Sequence, residues 1–354
     1  MSPRVGAAPS GPVGFPADAI AVLPRRPGVY RFSAAGGTVL YIGRATELRS
    51  RVRSYWGDLG DRGHLAPMVR RIARIEAVVC ASVHEAAWLE RNLIAADKPR
   101  WNRGIGGAEV EVYIRLRDGG PEVVHQPDPP GAGGRCFGPY LGGVRTRSAV
   151  AGLHRLFPLR YASAAGGAER GMAEVLGIAA GDRDALIAEL TAVLERRPRA
   201  VRRALRALAE RRDQLAAIQS YEAAGAVQAE AEAVDWITAE QKVCLAGPID
   251  QDLCGWADGH AVRFAMRAGR IVSWTTQRAP ADRVRRDVAA TPTRWRDFVD
   301  QNARLAAALS DRTATDRQPA RQSPRQSVQQ SVQQSVRPPV HRSIGGCATR
   351  GPAQ

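Results

Sequence analysis

The sequence predicts an α+β protein: a small first domain with a three-stranded antiparallel sheet flanked by helices, then a helical hairpin region, a small β-rich fragment and a disordered tail. Three observations predict it. Two short β-rich runs, 28–33 and 38–43, flank a Gly-containing turn over 34–37, the pattern of a β-hairpin. Residues 183–240 are dominated by Ala, Leu, Glu and Arg with no Pro after Pro198, a composition that favours helices. After about Thr313 the chain repeats Gln-Ser-Val-Gln units among Arg, Pro and Ser, which cannot form a core.

Taken in order, 1–17 read as a flexible leader punctuated by Gly and Pro. The first domain spans 18–104, and after its hairpin a first helix is expected near Glu47 to Tyr55. In 65–75 the apolar residues Leu65, Met68, Ile72 and Ile75 recur at helical spacing while Arg70, Arg71 and Arg74 lie off that stripe, so an amphipathic helix with a basic outer face is expected. A third strand follows over 77–81, and a further helix over 85–96 stops before Lys98-Pro99. The connecting region, 105–182, offers one strand over 110–116, and the Gly-, Pro- and Asp-rich stretch to Gly134 reads as a linker. The helical region, 183–240, should be a hairpin broken near Ser220. A β-rich fragment falls in 241–311, and the tail covers 312–354.

Composition narrows the function. A formal charge of +16 and a pI near 10.7 point to a polyanionic partner, DNA first, because clustered cations release counterions from a phosphate backbone. The five cysteines have no paired short spacing, so neither a zinc nor an iron–sulfur site is expected. No run of about 18 apolar residues could span a bilayer, and the N-terminus has no signal-like apolar core. A cytoplasmic protein without a membrane partner is expected.

The chemistry concentrates around Glu90. Ala86, Leu89, Leu93 and Ile94 cover one arc of the helical wheel, and Glu90 falls inside it. A carboxylate aimed at the core needs a cation, a metal ion or several donors beside it. Two accounts satisfy that need: a structural glutamate paired with Arg, or a metal ligand. The hairpin places Tyr30 and Tyr41 on neighbouring strands, with Arg44 and Arg51 following. Phosphodiester hydrolysis needs such a set: a carboxylate for a metal, a base for water, and cations for charge growing on the phosphate. The two tyrosines alone would pass as ordinary strand aromatics.

At these residues the chain resembles a known family. The runs LPRRPGVY (23–30), LYIGRA (40–45), LRSRVRSY (48–55), EAAWLE (85–90) and KPRWN (98–102) closely resemble the GIY-YIG domain of UvrC-type excision nucleases. The resemblance implies Tyr30 and Tyr41 as the motif tyrosines, Arg51 as the phosphate-stabilising arginine, Glu90 as the ligand of Mg²⁺ or Mn²⁺, and Asn102 as a positioning residue. Arg44 stands where the family usually has Lys, a cation of different geometry and proton lability. Tyr41, near the metal, is therefore taken as the base with Tyr30 as its partner, and the reverse assignment stays open. A nearby guanidinium or metal-bound water would have to lower the phenol pKa. Arg49, Arg53, Arg70, Arg71 and Arg74 are the expected DNA-binding cations.

Farther on, FGPY (137–140) and LFPLR (156–160) look like the segment that follows this domain in UvrC proteins, while 161–177 lacks the cysteines with which some members hold an iron–sulfur centre. SYEAA (220–224) with its flanking helices resembles the UVR hairpin through which UvrC docks on UvrB, the partner of UvrA; a plain structural hairpin fits the residues equally. Residues 256–274 resemble the opening of the RNase H-like half, whose acidic catalytic set does not follow. The whole resembles a UvrC that keeps one cutting centre, as in Cho-type relatives. That implies a single, metal-dependent incision in DNA on the 3′ side of a lesion. The alternatives are a catalytically inactive DNA- or UvrB-binding accessory protein, and a stand-alone nuclease of a mobile element or restriction system.

Overall fold

The hairpin forms as expected: β1 (Gly28–Ser33) and β2 (Val39–Ala45) pair antiparallel, with Tyr30 opposite Gly43 and Phe32 opposite Tyr41. The computed structural model describes residues 16–102, 109–128, 135–162, 171–172, 174 and 180–315. The leader up to residue 15 and the tail from 316 lie outside them. Helix α1 (Ala17–Val22) precedes the hairpin, and α2 (Leu48–Arg53) follows it within the expected span.

Residues 65–75 do not form the expected helix. Only one turn, α3 (Ala66–Val69), is helical, after a 3₁₀ segment over Gly60–Leu65. The chain then enters β3 (Arg74–Val79), which pairs antiparallel with β1 and gives the sheet order β2-β1-β3. All four residues of the apolar stripe are buried, but a turn and a strand bury them, because β1 offers its free edge to the β-branched run that begins at Ile75. Arg74 therefore lies on a strand and pairs with Glu76 at 3.1 Å.

Helix α4 (Val83–Asp97) starts on a hydrogen-bonded cap, with Ser82 Oγ accepting from the Glu85 amide at 3.0 Å. Glu85 is itself fully buried and accepts from the amides of Ala81 and Lys242, each at 2.6 Å. This carboxylate in the first turn, where the helix dipole favours it, ties α4 to a segment 157 residues away.

The stretch expected to be a linker contains a strand. β4 (Glu111–Arg117), β5 (Gly120–Val124) and β6 (Arg135–Leu141) form a second antiparallel sheet in the order β5-β4-β6. The Asp118-Gly119 pair marks a tight hairpin turn, with Gly120 in a left-handed conformation at φ +113°. Helices α5 (Gly143–Leu156), α6 (Leu159–Ala162), α7 (Arg183–Leu194), α8 (Pro198–Ala217) and α9 (Tyr221–Thr238) follow. Helices α8 and α9 form the hairpin, with its break at 218–220. Val112, Ile114, Leu153, Leu208 and Val234 are among the residues that give this part its own core.

The β-rich fragment is a third antiparallel sheet, β7 (Gln251–Ala257), β8 (His260–Arg267) and β9 (Arg270–Arg278), followed by α10 (Ala281–Ala290) and α11 (Thr293–Thr315). It shares a core with the first domain. Val29, Ile42, Val78, Trp88 and Leu89 lie in one hydrophobic cluster with Phe264, Trp274, Trp295 and Phe298. Asn302 of α11 covers the edge of β3, accepting from Val79 N at 2.7 Å and donating to Val79 O at 3.2 Å. Arg31 of β1 lies 4.1 Å from the Trp274 ring centroid and pairs with Glu76 at 2.9 Å.

Candidate active site

Alternation along β1 and β2 decides which side chains meet. Tyr30 and Phe32 point to the face packed by α2 and the 3₁₀ turns, where they cluster with Leu48, Val52, Tyr55 and Met68. Tyr30 is fully buried, and its hydroxyl shares a 2.7 Å hydrogen bond with that of Tyr55. The Tyr41 ring sits 6.2 Å from Tyr30 and 6.0 Å from Tyr55. Arg51, one helical turn before Tyr55, holds its guanidinium 5.7 Å from the Tyr55 ring centroid. Gly43 permits this packing: a Cβ there would lie 2.4 Å from Tyr30 Oη and 2.7 Å from Tyr41 Cε1.

Glu90 projects from α4 to the end of β2. Its Oε1 accepts from the Arg44 amide at 2.9 Å, and its Oε2 lies 3.4 Å from Arg44 Nε. The Arg44 guanidinium reaches onward to Glu109, with Nη1 and Nη2 at 3.2 and 3.3 Å from its two oxygens. Burial raises the Glu90 pKa above the usual carboxylate value, and Arg44 opposes the shift. Asn102 clamps β2 from outside, accepting from Ile42 N at 3.0 Å and donating to Ile42 O at 2.8 Å. The segment bearing Tyr41 and Gly43 is thereby held in place.

Tyr30, Tyr41, Arg44, Arg51, Glu90 and Asn102 thus gather at one end of the first sheet. The expected DNA-binding arginines differ in how they are held. Arg49 is turned inward, its Nε donating to Leu23 O at 2.7 Å, and Arg74 is engaged by Glu76. Arg53, Arg70 and Arg71 are exposed. Neither tyrosine has the lowered pKa that a base requires. Burial raises that of Tyr41 and that of Tyr30, helped in both by Tyr55; Arg51 opposes both shifts without reversing them.

Sequence reasoning left out four residues. Tyr55 was visible in principle, four residues after Arg51 on a helical run. Glu85 was visible through its Ser82-x-x-Glu85 capping pattern. Arg62 places its guanidinium 5.0 Å from the Tyr55 ring centroid and donates to Ser54 Oγ at 3.2 Å. Neither it nor Glu109 carries a local signal, because each meets its partner only through the fold.

Sheet, helix and site together define a GIY-YIG nuclease domain. Residues 26–103 match the family described as the UvrC-like GIY-YIG domain. The chain is 37% identical to UvrABC system protein C of Geobacter metallireducens over 150 residues, covering 42% of this chain and 24% of that protein. It is 31% identical to UvrABC system protein C of Chlorobium phaeobacteroides over 285 residues, covering 74% of this chain and 45% of that protein. The chain thus spans less than half the length of these relatives. Among solved structures, the GIY-YIG N-terminal endonuclease domain of UvrC from Thermotoga maritima, bound to its catalytic magnesium, is 31% identical. That comparison covers 25% of this chain and 98% of that one, with a TM-score of 0.23.

Proposed function

We propose that this protein is a divalent-metal-dependent DNA endonuclease that makes one incision, on the 3′ side of a lesion, in nucleotide excision repair. One observation carries the reading: a largely buried carboxylate, Glu90, is held by Arg44 and lies close to Tyr41 and Arg51. The donor set suits a hydrated Mg²⁺ or Mn²⁺. Among the described residues no group of three His, Cys, Asp or Glu could cage an ion, and Mg²⁺ commonly takes one or two carboxylates and keeps several waters. Glu90 would hold the ion, which supplies positive charge to the phosphate oxygens and acidifies nearby water.

The chain's own residues do the rest. Arg51 stabilises charge developing on the phosphate. Tyr41, less buried than Tyr30, is the proposed base: a cation beside it would offset the burial that raises its pKa and let the phenol lose its proton to solvent, and the phenolate would then take the proton of the attacking water. Tyr30, Tyr55 and Asn102 position these groups. Glu90→Gln should abolish Mg²⁺- or Mn²⁺-dependent nicking of a defined damaged duplex and leave DNA binding intact. Undiminished nicking would remove Glu90 from the mechanism. No nicking by the unaltered protein with metal, UvrA and UvrB would favour the inactive accessory role.

Docking on UvrB is proposed through the α8–α9 hairpin, whose tip exposes Ile218 and Tyr221 at 73% and 68%. Replacing both with Ser should leave intrinsic nicking unchanged and abolish stimulation by UvrA and UvrB. The setting proposed is the cytoplasm, where the chromosome lies. No helix among the described residues is long and apolar enough to cross a membrane.

A further inference from the structure

A cleft of about 760 Å³ opens between the end of β2 and the start of α5. Arg44, Glu109, His84, Gly143, Arg145 and Arg147 are among the residues that line it. Among the lining residues described, Glu109 is the only acid, and Arg44 already engages both its oxygens. Arg145 and Arg147 are exposed, with the Arg145 guanidinium 5.5 Å from the Trp236 ring centroid.

Three features of this cleft suit an anion. Helix α5 runs for 14 residues from Gly143, preceded by Gly142 with no side-chain cap and with no acid in its first turn, so its free amides and the positive end of its dipole are unopposed. His84 is 98% buried by its 2% exposure, stacks on Trp236 at 4.0 Å, and accepts from the Leu141 amide through Nε2 at 3.2 Å. The proton of the neutral ring therefore sits on Nδ1, a buried donor that faces the Trp236 backbone without completing a hydrogen bond of good geometry. The two arginines add mobile charge at the rim.

We infer that this cleft seats a backbone phosphate of the DNA strand adjoining the bond to be cut, held by Arg145, Arg147 and the first turn of α5. The inference rests on the proposed nuclease function, since DNA supplies the phosphate. Arg44 lines the cleft and also touches Glu90, so a strand seated there lies against the residue that joins both sites.

The test uses the full chain and a 30-base-pair duplex. Arg145→Ala/Arg147→Ala and, separately, Val144→Asp are compared with Arg285→Ala/Arg286→Ala on the exposed face of α10. Affinity is read across salt without divalent metal, and nicking with Mg²⁺. The cleft pair should weaken binding at least tenfold near 0.1 M salt and flatten the plot of log K against log salt by about 1 to 2, as expected for one or two lost phosphate contacts. Val144→Asp places a carboxylate in the first turn of α5. It should weaken binding while leaving Tm unchanged or higher, since an acid there favours the helix, so misfolding cannot mimic the effect. Unchanged slope and affinity in both cleft variants, or an equal loss in the α10 pair, would overturn the subsite. If the protein nicks DNA and the cleft variants keep its KM and salt slope, the subsite fails and the nuclease stands. If binding depends on the cleft but no metal elicits nicking, the cleft is a DNA-phosphate site, and the nuclease reading falls together with its place beside a bond to be cut.

Discussion

At Gly43 the active site has no room for a single added carbon. A Cβ would press on Tyr30 Oη at 2.4 Å, and Tyr30 cannot yield because it is fully buried and hydrogen-bonded to Tyr55. Overpacking of this kind costs about 1–3 kcal/mol. Gly43→Ala should therefore lower Tm and lose nicking together, and an active variant with unchanged Tm would refute the packing account. Glu90→Gln should behave oppositely. Burial raises the folded pKa of Glu90 above its unfolded value, so the folded state binds more protons between the two values and stability falls as pH rises through that window. Near neutrality, removing the charge should leave Tm equal or higher while nicking disappears; a large drop in Tm would show that the Arg44 contacts outweigh desolvation. The tyrosines, Arg51, Glu90 and Asn102 were legible in the sequence because each sits in a local motif. Glu109 was not, because its contact with Arg44 crosses 65 residues of chain.

Among elements, α4 connects the three parts of the molecule: Glu90 faces the active site, Glu85 binds the amide of Lys242, and His84 packs on Trp236 of α9. The sequence placed this helix well because its apolar arc and its stop before Lys98-Pro99 are local signals, although its Ser82 cap went unread. It misplaced α3 and β3, since an apolar i, i+3, i+7 stripe fits either a helix or a turn leading into a strand, and only the open edge of β1 chooses. It missed β5 because Gly, Pro and Asp mark a tight hairpin turn as readily as a linker. Burial, then Arg196 and Arg145, lower the His84 pKa from 6.5 to about 3. The folded state thus binds fewer protons than the unfolded one in that window, and its stability is complete above about 6.5 and lost as pH falls toward 3. His84→Phe should flatten the Tm profile over that range. At pH 8 it should also cost about 1–3 kcal/mol for the Leu141 amide left without an acceptor. An unchanged acid profile would assign the loss to other groups.

For the molecule as a whole, the packing of the third sheet matters most. Val29, Ile42 and Val78 put one face of the first sheet into a cluster with Trp88, Phe264, Trp274 and Phe298, and Asn302 satisfies both backbone groups of Val79 at the edge of β3. The sequence suggested a separate β-rich fragment because nothing local in 241–311 announces a partner some 200 residues upstream. Its packing gives that fragment a structural role in the nuclease fold, whatever chemistry its longer relatives perform. Residues 16–102 produced alone would expose this apolar face and leave two backbone groups of β3 unpaired, a loss of several kcal/mol by the usual coefficient of about 25 cal/mol per Å² of apolar surface. The fragment should melt on the order of 10 °C or more below residues 16–315 and bind a hydrophobic dye that the longer chain excludes. Within the longer chain, Asn302→Ala should lower stability by about 1–3 kcal/mol and slow nicking only in proportion to the fraction unfolded. Equal melting of the two chains would mean that the third sheet lies against the nuclease domain without stabilising it.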